Sequence, residues 1–348
     1  MSRGLTRLIP RQARLAASRW RASRVSAQFE RDFEAIAARS QPIIAGPWLG
    51  EVGFELLYWV PFLAWCAQRF DVTPDRWIVL SRGGTASWYR SFASRYADVF
   101  EQVSPDVFRE QHDQRVRDLG EQKQTRLTSF DESLIEGAAR KFRIDSWSVL
   151  HPSRMYEVLN PFWWKHLDTR WVRRHTRYVR LPSPDRVGVP PMPASYVATK
   201  FYFNECFPAT EANRAFASRV LRSLAREGPV IALSTGLAID DHDAHSAPDP
   251  AIHRLPEGLE PSRNLHVQDA LVAGARAFVG TYGGFSYLAP FHHVPSYAFY
   301  SNPAGFSARH LELAREAIAS IGAEGALHVS DAASSAPLLP LADGLLRD

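Results

Sequence analysis

Phe278-Val279-Gly280-Thr281-Tyr282-Gly283-Gly284-Phe285-Ser286-Tyr287-Leu288-Ala289-Pro290 is the stretch that decides the fold. An apolar run of strand length meets a glycine pair and continues as an apolar helical pattern. Glycine permits positive φ and lets another group approach the backbone closely. The first N–H groups of the helix have no intrahelical partner, and with the helix dipole they suit an anion, typically a phosphate. Ser286 adds a hydroxyl. By spacing alone, the same residues also read as an ordinary strand–turn–helix corner.

The same alternation extends both ways along the chain. Downstream, 296–300 reads as a strand and 308–321 as a helix. Upstream, strands at 196–202, 230–234 and 277–280 alternate with helices at 209–227, 267–275 and 285–291, and a long polar loop fills 240–262. Before them lies the clearest linker, with Pro182, Pro184, Pro190, Pro191 and Pro193. The first half repeats the rhythm: a strand at 42–48, a turn at 50–53 and a helix at 54–70. A second strand at 77–81 is closed by Arg82-Gly83-Gly84, and a second helix covers 85–100. Residues 134–142 read as helix and 147–150 as strand. The pattern predicts an α/β protein of two Rossmann-like, doubly wound halves, 41–185 and 186–348, with a ligand cleft between them. Residues 1–40 form a basic amphipathic extension, helical from about residue 11 to 38.

Composition narrows the function. The chain has 348 residues with 45% hydrophobic and 22% charged, which excludes disordered, collagen-like and disulfide-scaffold classes. No apolar run is long enough to span a bilayer. Cys66 and Cys206 form no paired or metal-ligand pattern, so a reduced, cytoplasmic setting is expected. Residues 1–29 hold seven arginines and no acid; the remainder has 34 basic against 37 acidic residues. The basic balance therefore belongs to the tail, and nucleic acid is not the expected partner. An arginine-rich, acid-free segment with Leu15, Trp20 and Val25 reads either as a solvated extension or as a contact for an anionic membrane surface.

The stretch 278–300 resembles the donor-binding segment of two-Rossmann-domain (GT-B) glycosyltransferases, above all the lipopolysaccharide heptosyltransferases. That family's pattern is strand, small-residue turn, helix, Gly/His-x-Pro, strand, and the sequence here reads FVGTYGGFSYLAPFHHVPSYAFYS. Thr281-Tyr282-Gly283 stands where the family has Asp-Thr-Gly, and the family's following His is replaced near Tyr287. The resemblance thus implies a nucleoside-diphosphate sugar donor but not a heptose. It implies donor contacts from Thr281, Gly283, Gly284, Phe285 and Ser286. It also implies a diphosphate contact from Lys200, which follows strand 196–199 and precedes Phe207-Pro208. Only three other lysines occur in the chain; a solvated surface lysine is the plain alternative. Gln268 stands before the donor strand and is within reach of a nucleotide.

Gly53-Phe54-Glu55 through Pro61 is similar to the heptosyltransferase Gly-Asp-x5-Pro segment, with the glycine two residues before the acid instead of one. The resemblance implies that Glu55 is the base taking the acceptor hydroxyl proton. Glu51, in the turn itself, is the rival carboxylate, and helix capping is the structural reading of either. Trp163, Trp164 and Arg173, within a segment whose arginines recur every three or four residues, suit a glycan or lipid-linked acceptor, or else form a basic face over buried tryptophans. Asp240-Asp241-His242-Asp243 with His245 reads as a polar loop before it reads as a metal site.

The resemblance implies a metal-independent, inverting sugar transfer, with no cofactor beyond the donor and with domain closure excluding water. A sugar-nucleotide epimerase and a non-catalytic nucleotide- or sugar-binding protein remain the alternatives. Dehydrogenase chemistry is disfavoured, because neither half carries GxGxxG after its first strand.

Overall fold

The computed structural model describes residues 11–120, 123–235, 237, 244–245, 252–256 and 258–333. The first half is built on β1 (Ile43–Ala45), β2 (Trp77–Ser81), β3 (Arg95–Asp98) and β4 (Ser148–Leu150), in the order β3-β2-β1-β4. Every pair is parallel. The second half carries β5 (Val197–Tyr202), β6 (Val230–Ala232), β7 (Ala244–His245), β8 (Ile252–Arg254), β9 (Ala277–Thr281), β10 (Ser296–Tyr300) and β11 (Leu327–Asp331). Its parallel path is β11-β10-β9-β5-β6-β8, and β7 pairs antiparallel with the end of β5. Parallel strands are covered on both faces, so they read as unbroken apolar runs; all residues of β1, β2 and β9 are buried. Strand order reverses between β1 and β4 and between β5 and β9. Loops leaving the C-terminal strand ends diverge at such points and leave a crevice.

The helix after β1 is α-helical over Val52–Phe54, π-helical over Glu55–Trp59 and α-helical again over Val60–Arg69. Most other elements lie where the sequence puts them. Strands β7 and β8 fall in the stretch 240–262 expected as a loop, β11 and helix Pro105–Leu119 stand where the sequence predicts no element, and 85–100 departs from the helix expected there. Only one turn, Ala86–Tyr89, is helical. The N–H groups of Phe92 and Ala93 donate to the Tyr89 carbonyl and close a turn, after which β3 pairs with β2. Buried Trp88, Tyr89 and Phe92 mimic a helical stripe, but tertiary packing places them. The arginine-rich segment, whose arginines would share one face if it were a single helix, follows helix Pro152–Trp163 and is helical only over Thr169–Arg174. Arg177 and Arg180 fall beyond that helix, so the arginines do not share one helix face.

The N-terminal helix, Arg11–Ala37, is not a detached extension. Ala22, Ser26, Phe29 and Phe33 recur at helical spacing and are buried. Phe29 packs on Phe62 at 5.2 Å between ring centroids, and Phe33 on Phe70 at 5.1 Å. Ser26 Oγ and His175 Nε2 form a buried hydrogen bond of 2.7 Å.

One apolar core runs through both halves, from Ile43 and Leu57 to Leu288 and Leu327. A smaller one fills the other face of the first sheet, around Ile44, Ile78, Leu80 and Leu134. Buried Ser87 Oγ donates across the halves to Asp269 (2.9 Å), which also pairs with His292 (2.6 Å). This Ser87–Asp269–His292 chain of hydrogen bonds joins the two halves.

Candidate functional site

A cavity of about 470 Å³ lies between the C-terminal ends of the two sheets. From the first half it is lined by the Leu49–Phe54 turn, by Arg109, His112 and Asp113 of helix Pro105–Leu119, and by Lys123 and Tyr156. From the second half come Asn204 to Cys206, the Tyr282-Gly283-Gly284 turn, Tyr287 and His310.

The two turns touch through glycines. A Cβ built on Gly284 would lie 2.6 Å from the Gly53 nitrogen and 3.0 Å from the Val52 Cβ. One built on Gly53 would lie 3.2 Å from the Gly284 Cα. Side chains there would hold the two helix starts apart.

Glu51 and Glu55 separate sharply. Glu51 is exposed, lines the cavity, and occupies the N-cap position of its helix without a side-chain cap hydrogen bond. Glu55 is 0% exposed and does not line the cavity. Its Oε1 accepts from Ser81 Oγ (2.6 Å), from Thr85 Oγ1 (3.4 Å) and from the Tyr89 hydroxyl, while Oε2 is buried with no hydrogen-bond partner. Burial pushes its pKa up to about 7, against the opposing pull of Ser81, Tyr89 and Arg82. Glu55 thus faces the end of β2 and has no opening to the cavity, whereas Glu51, like Asp113 and Glu205, lines it. Arg82, buried beside this network, donates to the Gly50 carbonyl at 2.7 Å and fixes the turn that carries Glu51.

Of the residues expected at the donor, Gly283 and Gly284 line the cavity. Thr281 is buried, and its hydroxyl donates to the Tyr202 carbonyl (2.8 Å) and accepts from the Tyr202 N–H (3.0 Å), tying β9 to β5. Ser286 turns back on its own helix start, donating to the Gly283 carbonyl (2.7 Å) and accepting from the Gly283 N–H (3.1 Å). Lys200, Gln268 and Phe285 are brought together one layer behind the turn. Lys200 Nζ donates to Gln268 Oε1 (2.6 Å) and lies 3.8 Å from the Phe285 ring centroid.

The acceptor trio is not assembled. Trp163 backs the cavity wall against Phe54 and Tyr156. Trp164 is 68% exposed outside the cavity, and Arg173 pairs with Glu316 on the surface (3.8 Å). Asp240 to Asp243 lie outside the described residues.

Sequence reasoning missed Lys123, His310, and Phe108, Arg109, His112 and Asp113 of helix Pro105–Leu119. Lys123 Nζ sits over the rings of Phe54 (4.6 Å) and Trp163 (4.9 Å). Burial lowers its pKa and the Glu51 carboxylate opposes that shift. His310 Nδ1 contacts the Tyr58 hydroxyl (3.3 Å). Burial, reinforced by Lys123 and Arg309, lowers its pKa to about 4, so it is neutral near pH 7. Ser104-Pro105 at one end and Gly120 at the other did announce the missed helix, as N-cap, N1 proline and left-handed C-cap.

Chemically, the cavity offers three exposed carboxylates (Glu51, Asp113 and Glu205), a lysine ammonium over aromatic rings, a neutral imidazole and a glycine turn opening a helix. No protein-family model matches the chain, and no curated protein matches it. Among solved structures, it is similar to the E. coli heptosyltransferase WaaC with ADP-2-deoxy-2-fluoro heptose: 12% identity, 77% of this chain and 91% of that chain covered, TM-score 0.37. It is also similar to the glycosyltransferase SnogD from Streptomyces nogalater, at 12% identity over 89% and 92% of the two chains, with TM-score 0.38. A third likeness is to the spinosyn rhamnosyltransferase SpnG, at 10% identity over 88% and 96%, with TM-score 0.28.

Proposed function

We propose that this protein is a glycosyltransferase, moving a sugar from a nucleoside-diphosphate donor to a glycan or lipid-linked acceptor, by inversion and without a metal. The observation that carries this reading is that Glu51 and the Gly283-Gly284 turn line one cavity from opposite halves. The donor diphosphate lies at the start of helix Gly284–Phe291, where the dipole favours negative charge. Lys200, held by Gln268 behind Phe285, adds its field from the second layer. Glu51 takes the acceptor hydroxyl proton as that oxygen bonds to the anomeric carbon, and the bond from that carbon to the diphosphate oxygen breaks. The departing nucleoside diphosphate carries the electron pair, stabilised by the helix start. Phe54, Tyr156 and Trp163 give the acceptor an aromatic wall.

A panel of nucleoside diphosphates tests the reading through unfolding temperature. The matching nucleotide should stabilise the chain by about 2.7 kcal/mol at a hundredfold excess over its Kd. Lys200→Ala should weaken the diphosphate severalfold while leaving the nucleoside unaffected. Equal losses for both would make Lys200 a folding residue, and no response to any base would overturn the donor site.

A further inference from the structure

The chain has ten tryptophans, and two of them are exposed, Trp20 at 60% and Trp164 at 68%. They belong to segments far apart in sequence, the N-terminal helix and the loop after helix Pro152–Trp163. The fold brings these segments together. Leu15 and Arg19 of the helix, with Lys165 and His166 of the loop and Arg170 of helix Thr169–Arg174, line one open groove of about 540 Å³ on the protein surface. Each exposed tryptophan is the chain neighbour of a basic residue in that groove. Arg170 folds onto Asp168 (2.6 Å), so Arg19 and Lys165, both exposed, carry the outward charge. Arg24, also exposed, lies over the Trp20 ring at 4.8 Å.

We propose that this two-segment face docks on an anionic phospholipid bilayer. The proposal does not depend on the reaction in the cleft. Tryptophan has an apolar body and a polar edge, and it concentrates at the membrane–water boundary. Basic side chains beside it gain from the negative surface potential. A single weak signal gives only marginal attachment and two together give stable attachment; here the second signal is the 164–170 segment, which the docked helix brings alongside. Helix residues Ala22, Ser26, Phe29 and Phe33 are already buried against the protein. The helix therefore does not lie in the bilayer on its apolar stripe; it presents its arginine side and the rim tryptophans. Two rim tryptophans do not make the row of aromatic platforms that a single-stranded nucleic acid requires.

Flotation of the full-length protein with vesicles tests this. At low salt, it should float with vesicles of phosphatidylcholine and phosphatidylglycerol and not with phosphatidylcholine alone. Arg19→Gln with Lys165→Gln should weaken binding about thirtyfold, the equivalent of about 1 kcal/mol for each basic residue. Trp164→Ala should weaken it at least fivefold. The control pair Arg222→Gln with Arg226→Gln, exposed on helix Glu211–Glu227 of the other half, should bind as the wild type does. All three variants change surface residues, and unchanged melting curves establish that they fold. Equal losses in both pairs would overturn the proposal in favour of unspecific charge attraction. Absence of flotation at low salt would overturn it, as would release by millimolar glycerol phosphate or binding of a single-stranded oligonucleotide in place of vesicles.

Discussion

Gly53 and Gly284 meet backbone to backbone where the two halves join, each in the turn that opens a helix after the first strand of the first sheet or after β9 of the second. That contact sets the width of the cleft. A methyl group on Gly284 would sit 2.6 Å from the Gly53 nitrogen, closer than packed atoms allow, and the neighbour is backbone. Gly284→Ala should therefore destabilise the protein by about 1–3 kcal/mol, the usual cost of overpacking, and Gly284→Val by more. Gly53→Ala, whose nearest contact is 3.2 Å, should cost less. Urea midpoints of the three variants check the order. Equal stability of all three would mean that the halves separate readily.

Stability should fall as pH rises from about 4 to about 7. The pKa of Glu55 is pushed up to about 7 and that of Asp98 to about 6, both chiefly by burial. A carboxyl whose folded pKa exceeds its unfolded value holds its proton in the folded state while the unfolded chain has released it. Its contribution is complete below the unfolded pKa and is lost as pH rises through the folded one. For Glu55 the window runs from about pH 4.5 to about pH 7, at most about 3 kcal/mol at 1.36 kcal/mol per pH unit. Glu55→Gln should flatten that slope in denaturant titrations and leave the protein at least as stable at pH 8. A slope unchanged by the substitution would contradict the buried carboxyl.

The N-terminal helix should behave as part of the core. Phe29 and Phe33 are 2% and 1% exposed, and truncating a core phenylalanine costs about 3–5 kcal/mol. Phe33→Ala should lose stability in that range, and deletion of residues 1–29 should be strongly destabilising. A truncated chain melting as the intact one does would return the helix to a solvated extension.

What was legible in the sequence follows from how locally each element is specified. The β9–turn–helix unit was readable because apolar run, glycine pair and helical pattern lie within fourteen consecutive residues, 278–291. The segment 85–100 was not, because Trp88, Tyr89 and Phe92 recur at helical intervals for a tertiary reason: they pack beneath β2 and the first helices of this half. Asp98 accepts from the Gly84 N–H at 2.7 Å, a tie across fourteen residues that no window reveals. Glu51 and Glu55 were indistinguishable because helical spacing gives direction, not depth. The π-helical turn beginning at Glu55 and the hydroxyls of Ser81 and Tyr89 decide which carboxylate is enclosed. Lys123 enters the cleft from a loop with no regular pattern, so only packing identifies it.

The paired variants Glu51→Gln and Glu55→Gln, compared for sugar transfer with the donor that the nucleotide panel identifies, test the central claim most directly. Glutamine keeps the shape and removes the proton acceptor. Glu51→Gln should lower turnover by about 10²–10⁴-fold, the usual worth of a general base, with donor affinity nearly unchanged because the diphosphate is held by the other half. Glu55→Gln should alter stability and its pH dependence and leave turnover within a fewfold of the wild type. Loss of turnover in Glu55→Gln with Glu51→Gln fully active would contradict the account of the cleft.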